Sequence, residues 1–92
     1  MDVRRNEQRS RYELVEGDAV LGVADYRDQA GGVVVMPHTE IHPDRRGEGL
    51  GAVLVTGALE DLRARGATIV PACWYVAQFI DEHPDYAEMV AA

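Results

Sequence analysis

The residues of this chain that could do chemistry fall into a few short stretches. The first is Arg45-Arg-Gly-Glu-Gly-Leu-Gly51. Its alternating glycines can take positive φ and let backbone N–H groups close on a ligand. A helix opening at Leu50 would add unpaired N–H groups and a partial positive charge. With the guanidinium groups of Arg45 and Arg46 beside it, the run is a candidate anion site, phosphate above all. It is not a Walker loop, because no Gly-Lys-Ser/Thr follows, and the dinucleotide pattern GxGxxG does not fit. The second feature is Cys73, the only thiol of the chain. It opens an expected helix, where a thiol pKa is depressed and nucleophilic or acid chemistry becomes available. The alternative is a small buried hydrophobe. Third, His38 and Glu40 alternate along an expected strand and so share a face, where one could take a proton while the other orients it. His38 and His42 lie on strand and loop rather than one helix face, so no metal site is expected.

These residues need elements to position them. Residues 1–10 are expected to be a disordered segment. Arg11–Glu16 alternates polar and apolar at the period of a half-buried strand. Gly17-Asp18 marks a turn, and Ala19–Arg27 reads as the second strand of a hairpin. Residues 28–32 form a turn. Val33–Met36 and His38–Ile41 make a third strand, interrupted at Pro37 by a bulge or an edge. A long helix covers 50–65, with Leu50, Val53, Leu54, Ala58 and Leu62 on its apolar face and Gly66 just past its end. Glu60–Arg63 and Asp61–Arg65 are charge pairs on the exposed side. A short strand follows at 67–71, then a helix over 73–80 and a last short helix from Pro84 to Val90. Trp74 and Tyr75 are expected to pack, and His83 to buttress the final helix.

The order β-β-β-α-β-α is a mixed α/β (α+β) fold in one domain, residues 11–92. Its sheet is mostly antiparallel, with one right-handed parallel crossover. That crossover sets the strand ending at Ile41 beside the strand ending at Pro71, with their carboxyl ends at one edge. Open α/β sheets bind ligands there. The glycine run and Cys73 therefore converge by topology alone.

The chain has 92 residues and a formal charge of −7, and all nine of its basic side chains are arginine. That length allows one small domain. The acidic balance excludes nucleic acid as an expected partner. No apolar run is long enough to span a bilayer, and no signal-like stretch follows the early arginines. With a single cysteine, a cytoplasmic setting is expected. A monomer or weak homodimer is expected, the sheet edge being a route to self-pairing or to a partner strand.

Arg46-Gly-Glu-Gly49-Leu-Gly51 resembles the Arg/Gln-x-x-Gly-x-Gly/Ala motif of the GNAT acetyltransferases. More specifically, the chain resembles the very small GNAT-like proteins, through His38-Thr-Glu40, Pro43, Arg46-Gly47, Gly49, Pro71-Ala-Cys73 and His83-Pro-Asp-Tyr86. The resemblance spans about residues 11–87. It implies a minimal fold, with acetyl-coenzyme A lying between splayed strands. The backbone of Ile41 would meet the pantetheine amides. The backbone of Arg46, Gly47, Glu48, Gly49, Leu50 and Gly51 would hold the pyrophosphate. The implied activity is acetyl-coenzyme A-dependent N-acetyl transfer to a small-molecule or peptide amine. The alternative is a coenzyme A or acyl-coenzyme A binding module without turnover.

Overall fold

The computed structural model describes residues 1–91. Its first strand is one the sequence does not announce. Residues 2–6, expected to be disordered, form β1 (Asp2–Asn6), which pairs antiparallel with β2 (Arg11–Glu16). The reason lies in what its side chains reach. Val3 seats on Gly57 of the long helix, where an added Cβ would lie 2.6 Å from the Val3 side chain. Arg4 and Asn6 bond Glu13 of β2, whose side chain is only 2% exposed. Arg5 lies over the Tyr26 ring at 4.4 Å. One apolar residue in five gives no period to read, so the strand is invisible to hydropathy.

β2 pairs with β3 (Ala19–Asp25) as the expected hairpin, with β3 ending before Arg27. A three-residue strand, β4 (Arg27–Gln29), and a 3-10 turn at Ala30–Gly32 replace most of the expected turn at 28–32. The larger correction is at Pro37. The expected third strand is two strands, β5 (Val33–Val35) and β6 (Thr39–Ile41), and they lie in different sheets. β6 pairs antiparallel with β3, closing a sheet of order β1-β2-β3-β6. β5 pairs antiparallel with β4 and parallel with β7 (Thr68–Val70). The Met36 N–H still donates to Val70 O and the Cys73 N–H to Met36 O. Pro37 has no N–H to continue that ladder. By His38 the chain has crossed over, and His38 O accepts from the Asp25 N–H beside β3 at 2.8 Å. The parallel neighbour of β7 is therefore β5, not the strand ending at Ile41. The mixed, mostly antiparallel α/β fold with one parallel crossover stands, as two sheets that part at Pro37.

α1 (Leu50–Ala64) is that crossover. It buries Leu50, Leu54, Val55, Ala58, Leu59 and Leu62. Val53 is 45% exposed, so the buried stripe is rotated toward Val55 and Leu59 from the expected face. The helix ends with Gly66 N–H donating to Arg63 O and Ala67 N–H to Leu62 O, the paired bonds of a Schellman ending. The Glu60–Arg63 and Asp61–Arg65 pairs form at 3.6 and 2.8 Å. Tyr12 donates to Asp61 at 2.6 Å, fastening β2 to the helix.

α2 (Trp74–Glu82) begins one residue later than expected, with Cys73 as its N-cap. The last expected helix is a 3-10 stretch, Pro84–Met89. It is tied back by Tyr86 donating to Glu60 at 2.7 Å and Arg63 donating to Asp85 O. No helix among the described residues is long and apolar enough to cross a membrane.

Candidate active site

The loop between β6 and α1 builds a concave cradle. The chain leaves β6 through a 3-10 turn, Pro43–Arg45, whose Asp44 N–H donates to His42 Nδ1. Gly47 and Gly49 then take φ of +86° and +76°. A side chain would strain both, and an added Cβ at either would meet open space. Gly49 caps α1 with no side-chain bond, so the first-turn N–H groups face the cradle without a side-chain partner. The hollow measures about 240 Å³.

The two arginines are not equivalent. Arg45 is gripped by Glu48 through bonds of 2.8 and 3.1 Å and by Glu16 at 3.3 Å. Those partners raise its pKa above the ordinary range, and its charge is already balanced. Arg46 is exposed and donates only to the backbone oxygen of Ile41, at 3.3 Å. Glu48 titrates below its usual range for the same reason, its bonds to Arg45. Sequence reasoning gave the arginines one role; their surroundings divide them.

From the cradle, a gap runs along β6. His38, Glu40 and His42 turn their backbone groups to β3, as Asp25 N–H to His38 O and His42 N–H to Leu21 O record. The alternation of an antiparallel ladder then turns the backbone of Thr39 and Ile41 the other way, toward the gap. The opening beyond them, about 350 Å³, is bounded by Thr39, Ile41, Cys73 and Tyr75. Gly51 belongs to both hollows. An added Cβ there would lie 2.7 Å from the Tyr75 hydroxyl, so glycine lets the α2 tyrosine close over the start of α1. Tyr75 walls both spaces.

Cys73 stands at the far end of the gap. The residue is 8% exposed, and its thiol donates to Thr39 Oγ1 at 3.7 Å. Burial pushes the thiol pKa up, but the N–H groups of Val76 and Tyr75 and the Thr39 hydroxyl outweigh it. The net shift is downward, toward thiolate. Thr39 is the partner that sequence reasoning missed; its place two residues before Ile41, on the same strand face, was the available signal.

His38 and Glu40 do meet each other. His38 Nε2 lies 3.6 Å from Glu40 Oε2, and both side chains are more than half exposed. His38 borders the Cys73 opening, whereas Glu40 lines a separate hollow with Leu21 and Val23. The structure thus sets Cys73 and His38 at one cavity, and Glu40 behind His38. Trp74 is 73% exposed and so is not the packing residue expected. His83 buttresses as expected, stacked on Phe79 with centroids 4.0 Å apart and Nδ1 2.8 Å from Phe79 O. Among the described residues no group of three His, Cys, Asp or Glu could hold a metal ion.

Comparison with known proteins places the fold. The family model described as GCN5-related N-acetyl-transferase matches residues 11–89. A search of curated proteins gives no match. Among solved structures, the NMR structure of a GCN5-like protein from Staphylococcus aureus, described there as a candidate N-acetyltransferase, superposes with a TM-score of 0.73. The two chains are 16% identical, and the match covers 99% of this chain and 88% of that one. At that identity the likeness speaks for the fold.

Proposed function

Because this chain belongs to the GCN5-related N-acetyl-transferase family, we propose that it transfers the acetyl group of acetyl-coenzyme A to an amine, with the reaction at the Cys73 end of the gap. One observation carries this reading: the glycine cradle and the opening at the thiol adjoin, sharing Ile41, Gly51 and Tyr75 as walls, with an open strand edge along one side. The residues fit the coenzyme. The uncapped N–H groups of Gly47 to Gly51 suit a pyrophosphate, with Arg46 the mobile cation beside it. The outward backbone groups of Thr39 and Ile41 suit the amides of a pantetheine arm. A strand edge with unpaired N–H and C=O groups takes such a partner in the way it would take another strand.

When bound, acetyl-coenzyme A supplies the acyl carbon as a thioester. Cys73 Sγ, biased to thiolate by the α2 N–H groups and Thr39, offers a nucleophile at the end of the groove. The same N–H groups are positioned to balance negative charge that develops there. Glu40 Oε2 lies 3.6 Å from His38 Nε2, and His38, at the rim of the Cys73 opening, is the base that takes the proton of the acceptor amine. Such a base is needed because an aliphatic amine is protonated at neutral pH.

Incubation with acetyl-coenzyme A and a panel of amines tests the reading, by release of free coenzyme thiol. The expected result is release above background with at least one amine. The second reading, a binding module without turnover, is favoured by the exposure of His38 and Glu40, since a general base works best partly desolvated. Saturable coenzyme A binding by calorimetry with no release from any amine selects it. Absence of binding sinks both.

A further inference from the structure

α2 carries a second hollow that the transfer chemistry does not use. Trp74, 73% exposed, meets Tyr75 edge to face, with centroids 5.9 Å apart and planes at 79°. With Gln78, Phe79 and Glu82 these rings enclose about 110 Å³. The hollow adjoins the Cys73 opening, with Trp74 and Tyr75 common to both walls. Its inner wall is fixed: Phe79 is 5% exposed and held by the stacked His83 ring. Its rim carries Glu82, which pairs with no arginine among the described residues. Glu82 lines the hollow, and its charge is felt as far as the Tyr75 hydroxyl, which burial and Glu82 together push upward.

Aromatic faces beside an unpaired carboxylate are the surroundings in which an organic ammonium is stabilised. The opposite arm of the Cys73 opening carries the contrary charge, Arg46 and the N-terminus of α1. A polyanion is therefore drawn to the cradle and repelled by Asp81 and Glu82, while a cation sorts the other way.

We propose that this hollow holds a second cationic group of the acceptor, so that the substrate class is an aliphatic diamine or longer polyamine rather than a monoamine. The inference rests on the transferase reading above. Cys73 Sγ takes the acetyl group as the coenzyme leaves as thiolate; one amine, neutral when it reacts, then forms the N–C bond as the Cys73 S–acyl bond breaks. Its proton passes to His38 and on to solvent, and the Cys73 thiolate is regenerated. The other amine stays protonated throughout, over Trp74 and beside Glu82.

Trp74 is the only tryptophan of the chain, so its fluorescence reports on the hollow and on the Cys73 opening it also borders, and the Glu82 variant assigns the response to the hollow. The experiment titrates the intact protein with cadaverine and with pentylamine, which differ by one terminal ammonium. The expected result is a saturable fluorescence change with cadaverine, at a Kd about tenfold below that of pentylamine. Glu82→Gln should collapse that ratio toward one, and Glu88→Gln should leave it intact. Equal response to the two amines, or an equal loss of preference in both variants, overturns the proposal, the latter assigning the effect to the overall negative charge. Parallel measurement of coenzyme thiol release separates the two readings. Cadaverine that binds but is never acetylated removes the transferase reading and leaves a cation site. Cadaverine and pentylamine acetylated with the same kcat/KM keep the transferase and remove the second cation site.

Discussion

Cys73 Sγ donates to Thr39 Oγ1 at 3.7 Å, and that contact spans the seam where one sheet becomes two. Cys73 follows β7 and Thr39 opens β6, strands that share no ladder. The two side chains therefore meet because Pro37 lets the chain leave one sheet and join the other. The placement of this thiol and the opening in front of it have a single structural cause.

That contact predicts a reactivity. The Cys73 pKa is lowered, so alkylation by iodoacetamide should rise with pH at a midpoint below that of a free thiol. Thr39→Val removes a donor to the thiolate and should move the midpoint to higher pH. The expected direction follows from losing stabilisation of the charged form. An unchanged midpoint would place control of the thiol elsewhere.

The chain has no lysine, so it offers acetyl-coenzyme A no side-chain amine, and Cys73 is its only thiol. Intact-mass measurement after brief exposure to acetyl-coenzyme A, without amine, should show one acetyl group that is absent from Cys73→Ser. An unmodified wild-type protein, together with full transfer by the serine variant, rules out the nucleophile role.

Gly51 and Tyr75 predict an effect on the coenzyme without loss of fold. Gly51→Ala adds a Cβ 2.7 Å from the Tyr75 hydroxyl, while alanine favours the helix by about 1 kcal/mol. Tyr75 must move into the groove, and coenzyme A affinity by calorimetry should fall about tenfold. Tyr75→Phe in the same chain should restore part of it by removing the colliding oxygen.

The two arginines should separate under mutation. Arg46→Ala should weaken coenzyme A binding about tenfold, because it removes the cation that no carboxylate holds. Arg45→Ala should weaken it by releasing Glu48, and adding Glu48→Gln should recover the loss. The net charge of −7 opposes a polyanion, so affinity should hold or rise with added salt. A steep fall with salt, measured by calorimetry, contradicts this assignment.

Glu13 predicts the acid limb of stability. Burial opposes its charge, but bonds from Arg11, Arg4 and Asn6 outweigh it and hold the carboxyl below its ordinary 4.5. Its stabilisation is complete above that ordinary value and is lost as pH falls through the lower native one. Glu13→Gln should cost about 2 kcal/mol at neutral pH. It should also flatten the loss of urea midpoint below pH 4.5. An equal slope in both proteins would contradict the role given to this cluster.

The helix, the hairpin and the cradle were legible because each rests on local patterns: the 3.6-residue period of α1, the alternation of β2, the glycines at 47, 49 and 51. What was not legible depends on partners distant in sequence. β1 forms because Val3 finds Gly57 and Arg4 finds Glu13. The parting of β5 and β6 needs β3 and β7 to compete for one segment, and a proline marks the place without naming the winner. Cys73 was readable as a helix start, but Thr39 beside it was not, since nothing local couples a threonine to a cysteine on another sheet. His38 and Glu40 share a strand face as alternation requires, yet only His38 borders the Cys73 opening.

The central claim, that the coenzyme lies in the gap with its thioester end at Cys73, has a direct test in that single thiol. The rate of Cys73 alkylation by iodoacetamide is measured by intact mass as coenzyme A is added. The account predicts that the rate falls about tenfold or more along the same saturation curve as binding measured by calorimetry, since an occupied groove excludes the reagent. Saturable binding with an unchanged alkylation rate would place the coenzyme elsewhere on the molecule.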